Sequence, residues 1–263
     1  MASAPGAARR TKATHVIACS RNERPSHRSE LGKRAVTGRE INEVSMRTPA
    51  DCEAGMVVAF AFANTDRARC VRGMRISGGI ARGIPLLVPK GDAVRPATDG
   101  VRQAVFSSLA ARIAGSSFLD LFAGSGGYGL EAFSRGADRG IFVEKSPKAI
   151  ACLRENIRSV CKSVGRSAEL LEVRAGDALA WKPDGDQVPD LVFIDPPYEL
   201  IPEVGPVLLA GLRDRLARQP DPLVVFEMPG EIALSAPGWR CVKRLGKGPR
   251  QPTVAFFRRD DNT

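Results

Sequence analysis

The segment Asp195-Pro196-Pro197-Tyr198 directly follows the apolar run Leu191–Ile194. Two consecutive prolines fix φ and remove two backbone donors, so the turn is stiff and its carbonyls are free to accept. A carboxylate and a carbonyl held side by side can take both hydrogens of an exocyclic NH₂ and aim its lone pair at an electrophile. Tyr198 adds a flat face on which a flipped or unpaired base can stack. A second group of residues is the glycine loop Asp120-Leu121-Phe122-Ala123-Gly124-Ser125-Gly126-Gly127-Tyr128-Gly129. Glycine lets a backbone turn tightly and approach a ligand closely. Alone, this loop could serve a nucleotide, a dinucleotide or plain packing, but it lacks the G-K-[ST] ending of an ATPase P-loop. Glu144, with Lys145 beside it, closes the next apolar stretch, where an acid can accept both ribose hydroxyls of an adenosine. Asp177, next to Ala178, is a weaker third contact, able to accept from an adenine amine.

These residues require a scaffold that presents them at one end. Phe118–Phe122, Gly140–Glu144, Leu170–Val173, Leu191–Ile194 and Leu223–Phe226 read as buried strands. Between them lie helical stretches near Tyr128–Ser134, from Pro147 through Ala149–Val164, and over Pro206–Leu216, with Pro147 suited to a first helical turn. Arg240–Leu245 and Val254–Phe257 read as a closing hairpin, which gives the sheet an antiparallel edge. Alternating βα units predict an α/β, Rossmann-like fold with a mostly parallel seven-stranded sheet and helices on both faces. Ahead of it, Met74–Ile76 and Ile80–Val88 predict a small hairpin turning at Gly78-Gly79. Thr98 or Asp99 then caps a helix whose stripe is Val101, Val105, Phe106, Leu109 and Ile113.

Charge is uneven along the 263 residues. The chain carries 39 Lys+Arg against 29 Asp+Glu, a net charge of +10, with 43% hydrophobic residues. Residues 1–73 hold 13 basic and 7 acidic groups, net +6, without sustained periodicity. They read as a basic leader outside the folded unit, either a disordered tail, an RNA-tethering arm, or the product of a start placed upstream of Met74. Residues 113–238 have 13 basic and 18 acidic groups, net −5. The flanking segments 74–112 and 239–259 are basic, as suits a polyanionic partner. The six cysteines show no C-x-x-C pair and read as incidental thiols of a reducing, cytoplasmic protein, without a disulfide scaffold or a metal site. The apolar run Met56–Ala63 is far short of a membrane span. The only histidines, His15 and His27, lie near the N-terminus, which suits a hydrolytic Ser-His-Asp or Cys-His relay poorly.

Several segments together resemble a known family. They are Met74-Arg-Ile-Ser-Gly-Gly79, Arg95-Pro-Ala-Thr-Asp99, Leu119-Asp-Leu-Phe-Ala-Gly-Ser-Gly126, Gly129-Leu-Glu-Ala-Phe-Ser-Arg-Gly-Ala137 and Phe193-Ile-Asp-Pro-Pro-Tyr198. In order and spacing they resemble bacterial 16S rRNA guanine-N2 methyltransferases of the RsmD type, over about residues 74–259. The resemblance implies a class I methyltransferase domain at 116–263 using S-adenosylmethionine, preceded by an RNA-facing unit at 74–115. It implies that the Gly124–Gly126 loop, with Ser125, holds the cofactor's methionine part, and that Asp120, Phe122 and Ala123 also belong to the cofactor site. Glu144 would serve its ribose and Asp177 its adenine edge, with Lys145 and Ala178 beside them in the cofactor site. Asp195 and the Pro196 carbonyl would position guanine N2, with Pro197 stiffening the turn and Tyr198 stacking on the base. Arg75, Arg82, Arg95, Thr98, Asp99 and Arg102 are the candidate RNA contacts on a lip beside the pocket. Gly100 and Gln103 depart from the basic and acidic residues expected at that helix start. The implied partner is ribosomal RNA or the small subunit, met by a monomer. The competing readings are a DNA adenine-N6 methyltransferase, a non-catalytic RNA-binding protein, and an NAD-dependent oxidoreductase.

Overall fold

The computed structural model describes residues 70–90, 99–185, 187–246, 248–249 and 251–260. Residues 1–69, and with them nearly all of the expected leader, lie outside that set, as do Arg95 and Thr98. The sheet strands in chain order are β3 (Ser117–Leu121), β4 (Arg139–Glu144), β5 (Leu171–Ala175), β6 (Leu191–Ile194), β7 (Leu223–Pro229), β8 (Trp239–Leu245) and β9 (Pro252–Arg259). They pair in the order β5-β4-β3-β6-β7-β9-β8. The first five are mutually parallel, and the β8–β9 hairpin joins antiparallel through β9. The expected mostly parallel seven-stranded sheet with an antiparallel edge is therefore present. The order in which strands are added reverses between β3 and β6, and the crevice above the carboxyl ends of such a pair is where open α/β sheets bind ligands.

Period-two alternation in the buried strands splits the core into two layers. Phe118, Phe142, Phe193, Val225 and Phe256 face α1 (Asp99–Ile113), α2 (Gly127–Ser134) and α3 (Pro147–Val164). Leu119, Leu121, Val192, Ile194 and Phe226 face α4 (Ile201–Arg215), which contributes Leu208, Leu209 and Leu212. Helix α3 begins where Pro147 and the Ser146 cap place it, and ends on Gly165 in the left-handed region. Helix α4 starts earlier than expected, at Ile201, and contains Pro206. Burial of Ile201 on the same face as Leu208 outweighs the one backbone donor that the proline lacks.

The N-terminal hairpin is present with different bounds. Strand β1 (Cys70–Arg75) begins ahead of Met74 and pairs with β2 (Pro85–Pro89) across a bulge at Arg72/Met74. The connection is a loop over 76–84 rather than a tight turn at Gly78-Gly79. It is held to α2 by Ile80 N–H donating to the Ser134 carbonyl at 2.8 Å, Ala81 N–H to Ser134 Oγ at 2.9 Å, and Ser134 Oγ to the Gly78 carbonyl at 2.7 Å. A side chain at Gly79, whose φ is +78°, would run into the Ser134 backbone. The expectation of incidental thiols is corrected at one pair: Cys70 and Cys152 form a disulfide joining β1 to α3, their Cα atoms 6.3 Å apart. The two cysteines are 82 residues apart in the chain, and only the docking of the hairpin on α3 brings them together.

Candidate active site

The glycine loop leaves β3 and is strained at its start. Phe122 has φ of +59°, a region that a bulky side chain rarely adopts and that clusters at ligand sites. Ala123 N–H donates to the Val143 carbonyl at 3.0 Å and Gly126 N–H to the Ala123 carbonyl at 2.7 Å, which folds the loop back on itself. Buried Asp120 accepts Gly129 N–H at 2.9 Å, joining the end of β3 to α2. It braces the loop from beneath. Burial pushes its pKa up to about 8, with the nearby Glu144 charge adding to the rise and the Gly129 bond opposing it. Glu144, at the end of β4, accepts Gly124 N–H at 2.8 Å and Ser146 N–H at 2.7 Å. A carboxylate oxygen has two lone pairs, so each retains capacity for a further donor.

The loop's upper side suits a small ligand. Gly124, at φ of +54°, has no neighbouring atom closer than 3.9 Å to the position a Cβ would occupy, and that atom is its own loop's Phe122 carbonyl. Open space above a backbone flanked by an acid leaves room for a small ligand, and the donors and acceptors there fit the chemistry of S-adenosylmethionine. Asp177 is exposed and caps a short 3-10 turn by accepting Leu179 N–H at 2.9 Å, with Ala178 buried beneath. Lys145 is exposed beside Glu144.

Asp195 follows β6, whose Ile194 is in register with Leu121 of β3, so the D-P-P-Y turn and the glycine loop leave adjacent strands at matched positions. Pro196 is buried, and Pro197 and Tyr198 are exposed. The Pro197 carbonyl accepts Leu200 N–H at 3.0 Å. Asp195 is half-buried, and its pKa is pushed well above the usual carboxylate range by burial and by the charges of Glu227 and Asp120.

Glu227, on β7, is one of two residues that sequence reasoning missed. It is 3% exposed and accepts the Tyr128 hydroxyl at 2.6 Å and the Tyr198 hydroxyl at 3.4 Å. Burial raises its pKa, while the two tyrosine donors and the Arg102 charge oppose the rise. One signal was available: an acid inside the otherwise apolar run Leu223–Met228. Asn156 was missed as well. Its amide binds both backbone groups of Leu87, at 2.8 and 2.9 Å, and donates to the Ser125 carbonyl at 2.9 Å, tying β2 and α3 to the glycine loop.

The expected RNA lip is altered. Arg102 is 1% exposed, bonded to Asp99 at 2.7 Å and to the Arg75 carbonyl at 2.7 Å, so it fastens the hairpin to α1 and is too deep to meet a phosphate. Asp99 also accepts from Arg75 at 3.0 Å, and the Arg75 side chain is 67% exposed. Arg82 is exposed. On the far flank, Arg112 and Arg258 share Asp221, Lys243 donates to Ser108 Oγ at 2.8 Å, and Arg244 donates to the Gly230 and Ile232 carbonyls.

A Rossmann-like sheet with a glycine loop after its first parallel strand, an acid after the second and D-P-P-Y after the fourth defines a class I methyltransferase. Comparison with known proteins narrows the class. The chain belongs to the family described as Conserved hypothetical protein 95, whose model matches residues 74–254, the family of the RsmD-type methyltransferases. It is 30% identical over 176 residues to the ribosomal RNA small subunit methyltransferase D of Haemophilus influenzae, covering 66% of this chain and 89% of that protein. The Escherichia coli protein of the same name is 37% identical over 125 residues, 48% of this chain and 60% of its own length. Among solved structures, the yhhF protein of Escherichia coli superposes with a TM-score of 0.60 at 29% identity, covering 72% of this chain and 99% of that one. No helix among the described residues is long and apolar enough to cross a membrane.

Proposed function

We propose that this protein transfers the methyl group of S-adenosylmethionine to the exocyclic N2 amine of a guanine in 16S ribosomal RNA. The observation that carries this reading is the matched departure of the glycine loop and Asp195-Pro196-Pro197-Tyr198 from adjacent strands β3 and β6. Bound S-adenosylmethionine supplies an electrophilic methyl group on a positively charged sulfur. The chain's own part is positioning, which can account for much of the rate of a displacement between two held reactants. The Gly124–Gly126 backbone receives the methionine part, and Glu144 accepts from the ribose. Asp195 and the Pro196 carbonyl accept the two N2 hydrogens and aim the lone pair, and Tyr198 stacks on the base. The amine can release its proton after attack, so no strong base is required.

Exposed Arg75 and Arg82 support contact with the RNA backbone from a unit spanning 74–115, alongside a cofactor domain at 116–263. We read the protein as a cytoplasmic monomer acting on ribosomal RNA or the assembled small subunit; the location follows from that substrate, since the Cys70–Cys152 bridge removes the argument from free thiols. The test is transfer of labelled methyl to deproteinised ribosomal RNA, to small subunits and to DNA, followed by nucleoside analysis. N2-methylguanosine is expected. N6-methyladenine in DNA would overturn the substrate half of the reading, and absence of transfer to every substrate would overturn the activity.

A further inference from the structure

Glu227 joins two segments of the site that are far apart in the chain. Tyr128, one of its two donors, lies in the first turn of α2 immediately behind the glycine loop. The Tyr128 ring is 5% exposed and stacks on Phe193 of β6, centroids 5.6 Å apart at 15°. It is therefore fixed by packing on one side and by the Glu227 carboxylate at its tip. The other donor, Tyr198, is 36% exposed at the end of D-P-P-Y and reaches Glu227 from the mouth of the site. A carboxylate buried in a protein interior is costly unless donors compensate it, and here part of that compensation comes from the residue that meets the base.

We propose that Glu227 is a positioning residue for methyl transfer: by accepting both tyrosine hydroxyls it holds the base-stacking ring of Tyr198 in fixed relation to the helix that carries the cofactor loop. The proposal rests on the functional reading above. A role confined to core stability would be met by the short Tyr128 bond alone. The bond to Tyr198 crosses from the core to the mouth of the site and acts on a side chain whose orientation sets the plane of the base. Misplacing a reacting group by about 1 Å can cost on the order of 100-fold in rate, so loss of one restraint on that ring should be visible in turnover.

The test uses the full chain, saturating S-adenosylmethionine and ribosomal RNA as substrate. Tyr198→Phe keeps the stacking ring and deletes one bond. Glu227→Leu removes both acceptors and keeps a side chain of similar volume in the buried position. Each variant is expected to lower kcat about tenfold while the Kd for S-adenosylmethionine stays within about twofold. The double variant should be no more than about twofold worse than Glu227→Leu, because both changes remove the same restraint. Tyr128→Phe, which deletes the other bond without emptying the core, provides the same comparison with Tyr198→Phe if Glu227→Leu does not fold. Additive losses would overturn the proposal, as would unchanged turnover in Tyr198→Phe, or a rise in the cofactor Kd as large as the fall in kcat. If the unaltered protein methylates no RNA, the functional reading fails. If it does so and the variants behave additively, only the role of Glu227 fails.

Discussion

The carboxylate of Glu131, wholly buried in α2, accepts the backbone N–H of Ser77 at 2.7 Å and the Ser77 hydroxyl at 2.8 Å. Arg135, one helical turn on, donates to the same carboxylate at 2.8 Å. Two of the segments that carry the family resemblance, Met74–Gly79 and Gly129–Ala137, are thus two halves of one buried contact. Their joint task is to dock the hairpin beside the cofactor loop.

Glu131→Ala should accordingly destabilise the protein by about 3 kcal/mol, since it leaves a buried N–H and a largely buried guanidinium without their acceptor. The loss is measured as a fall in the urea midpoint with an unchanged denaturant slope. A slope that falls as well would indicate that the hairpin is released before the rest unfolds.

The raised pKa of Asp120 predicts a pH dependence of stability with a definite sign. The folded chain holds the Asp120 proton up to about pH 8, whereas the unfolded chain releases it near 3.8, the ordinary value for an aspartate. Between those values the native state binds more protons, so this group's contribution to stability declines as pH rises from about 4 to about 8 and is constant above. Asp120→Asn should remove that part of the slope. The check is the difference in unfolding free energy between the two proteins at pH 5 and pH 8, which should narrow or reverse in favour of the variant at the higher pH.

Asp195→Ala should reduce methyl transfer by more than about 100-fold, because the amine loses the acceptor that orients its lone pair. Titration calorimetry with S-adenosylmethionine should show a Kd within about threefold of the unaltered protein, since the proposed cofactor contacts come from the loop after β3 and the end of β4. Equal loss of binding and transfer would move Asp195 from the substrate side of the site to the cofactor side.

The parts of the molecule legible in the sequence are those written in local pattern. Leu191–Ile194 is a fully apolar run and is strand β6 at those bounds, and Pro147 after Ser146 marks the start of α3. The misreadings are contacts between distant segments. Arg102 reads as a surface base on an amphipathic helix, yet the carbonyl of Arg75, 27 residues earlier on the hairpin, holds it in the core alongside its local partner Asp99. Cys70 and Cys152 have no spacing that suggests a bridge. Glu227 sits in a strand whose apolar neighbours fix its burial, but its tyrosine partners come from α2 and from the turn after β6, and no periodicity relates those positions. The ends of the strands were readable one at a time; what they share across the crevice was not.

Two glycines of the cofactor loop separate folding from binding. At Gly126, φ of +86° disfavours any L side chain, and a Cβ would lie 2.6 Å from Leu153 Cδ1 and 2.9 Å from Leu130 Cδ1. Gly126→Ala therefore strains the backbone and overpacks the core under α2 and α3, a combined cost of about 2–4 kcal/mol. At Gly124 the left-handed φ carries a similar backbone penalty, about 1 kcal/mol, but the added methyl group meets no side chain and projects into the open space above the loop. Gly124→Ala should thus melt close to the unaltered protein while its Kd for S-adenosylmethionine rises at least about tenfold. The two alanine variants, compared by thermal unfolding and by titration calorimetry, should rank in opposite order relative to their loss of stability. If Gly124→Ala bound the cofactor normally, the cofactor's methionine part would have to lie elsewhere, and the roles given to the loop and to Glu144 would fall together.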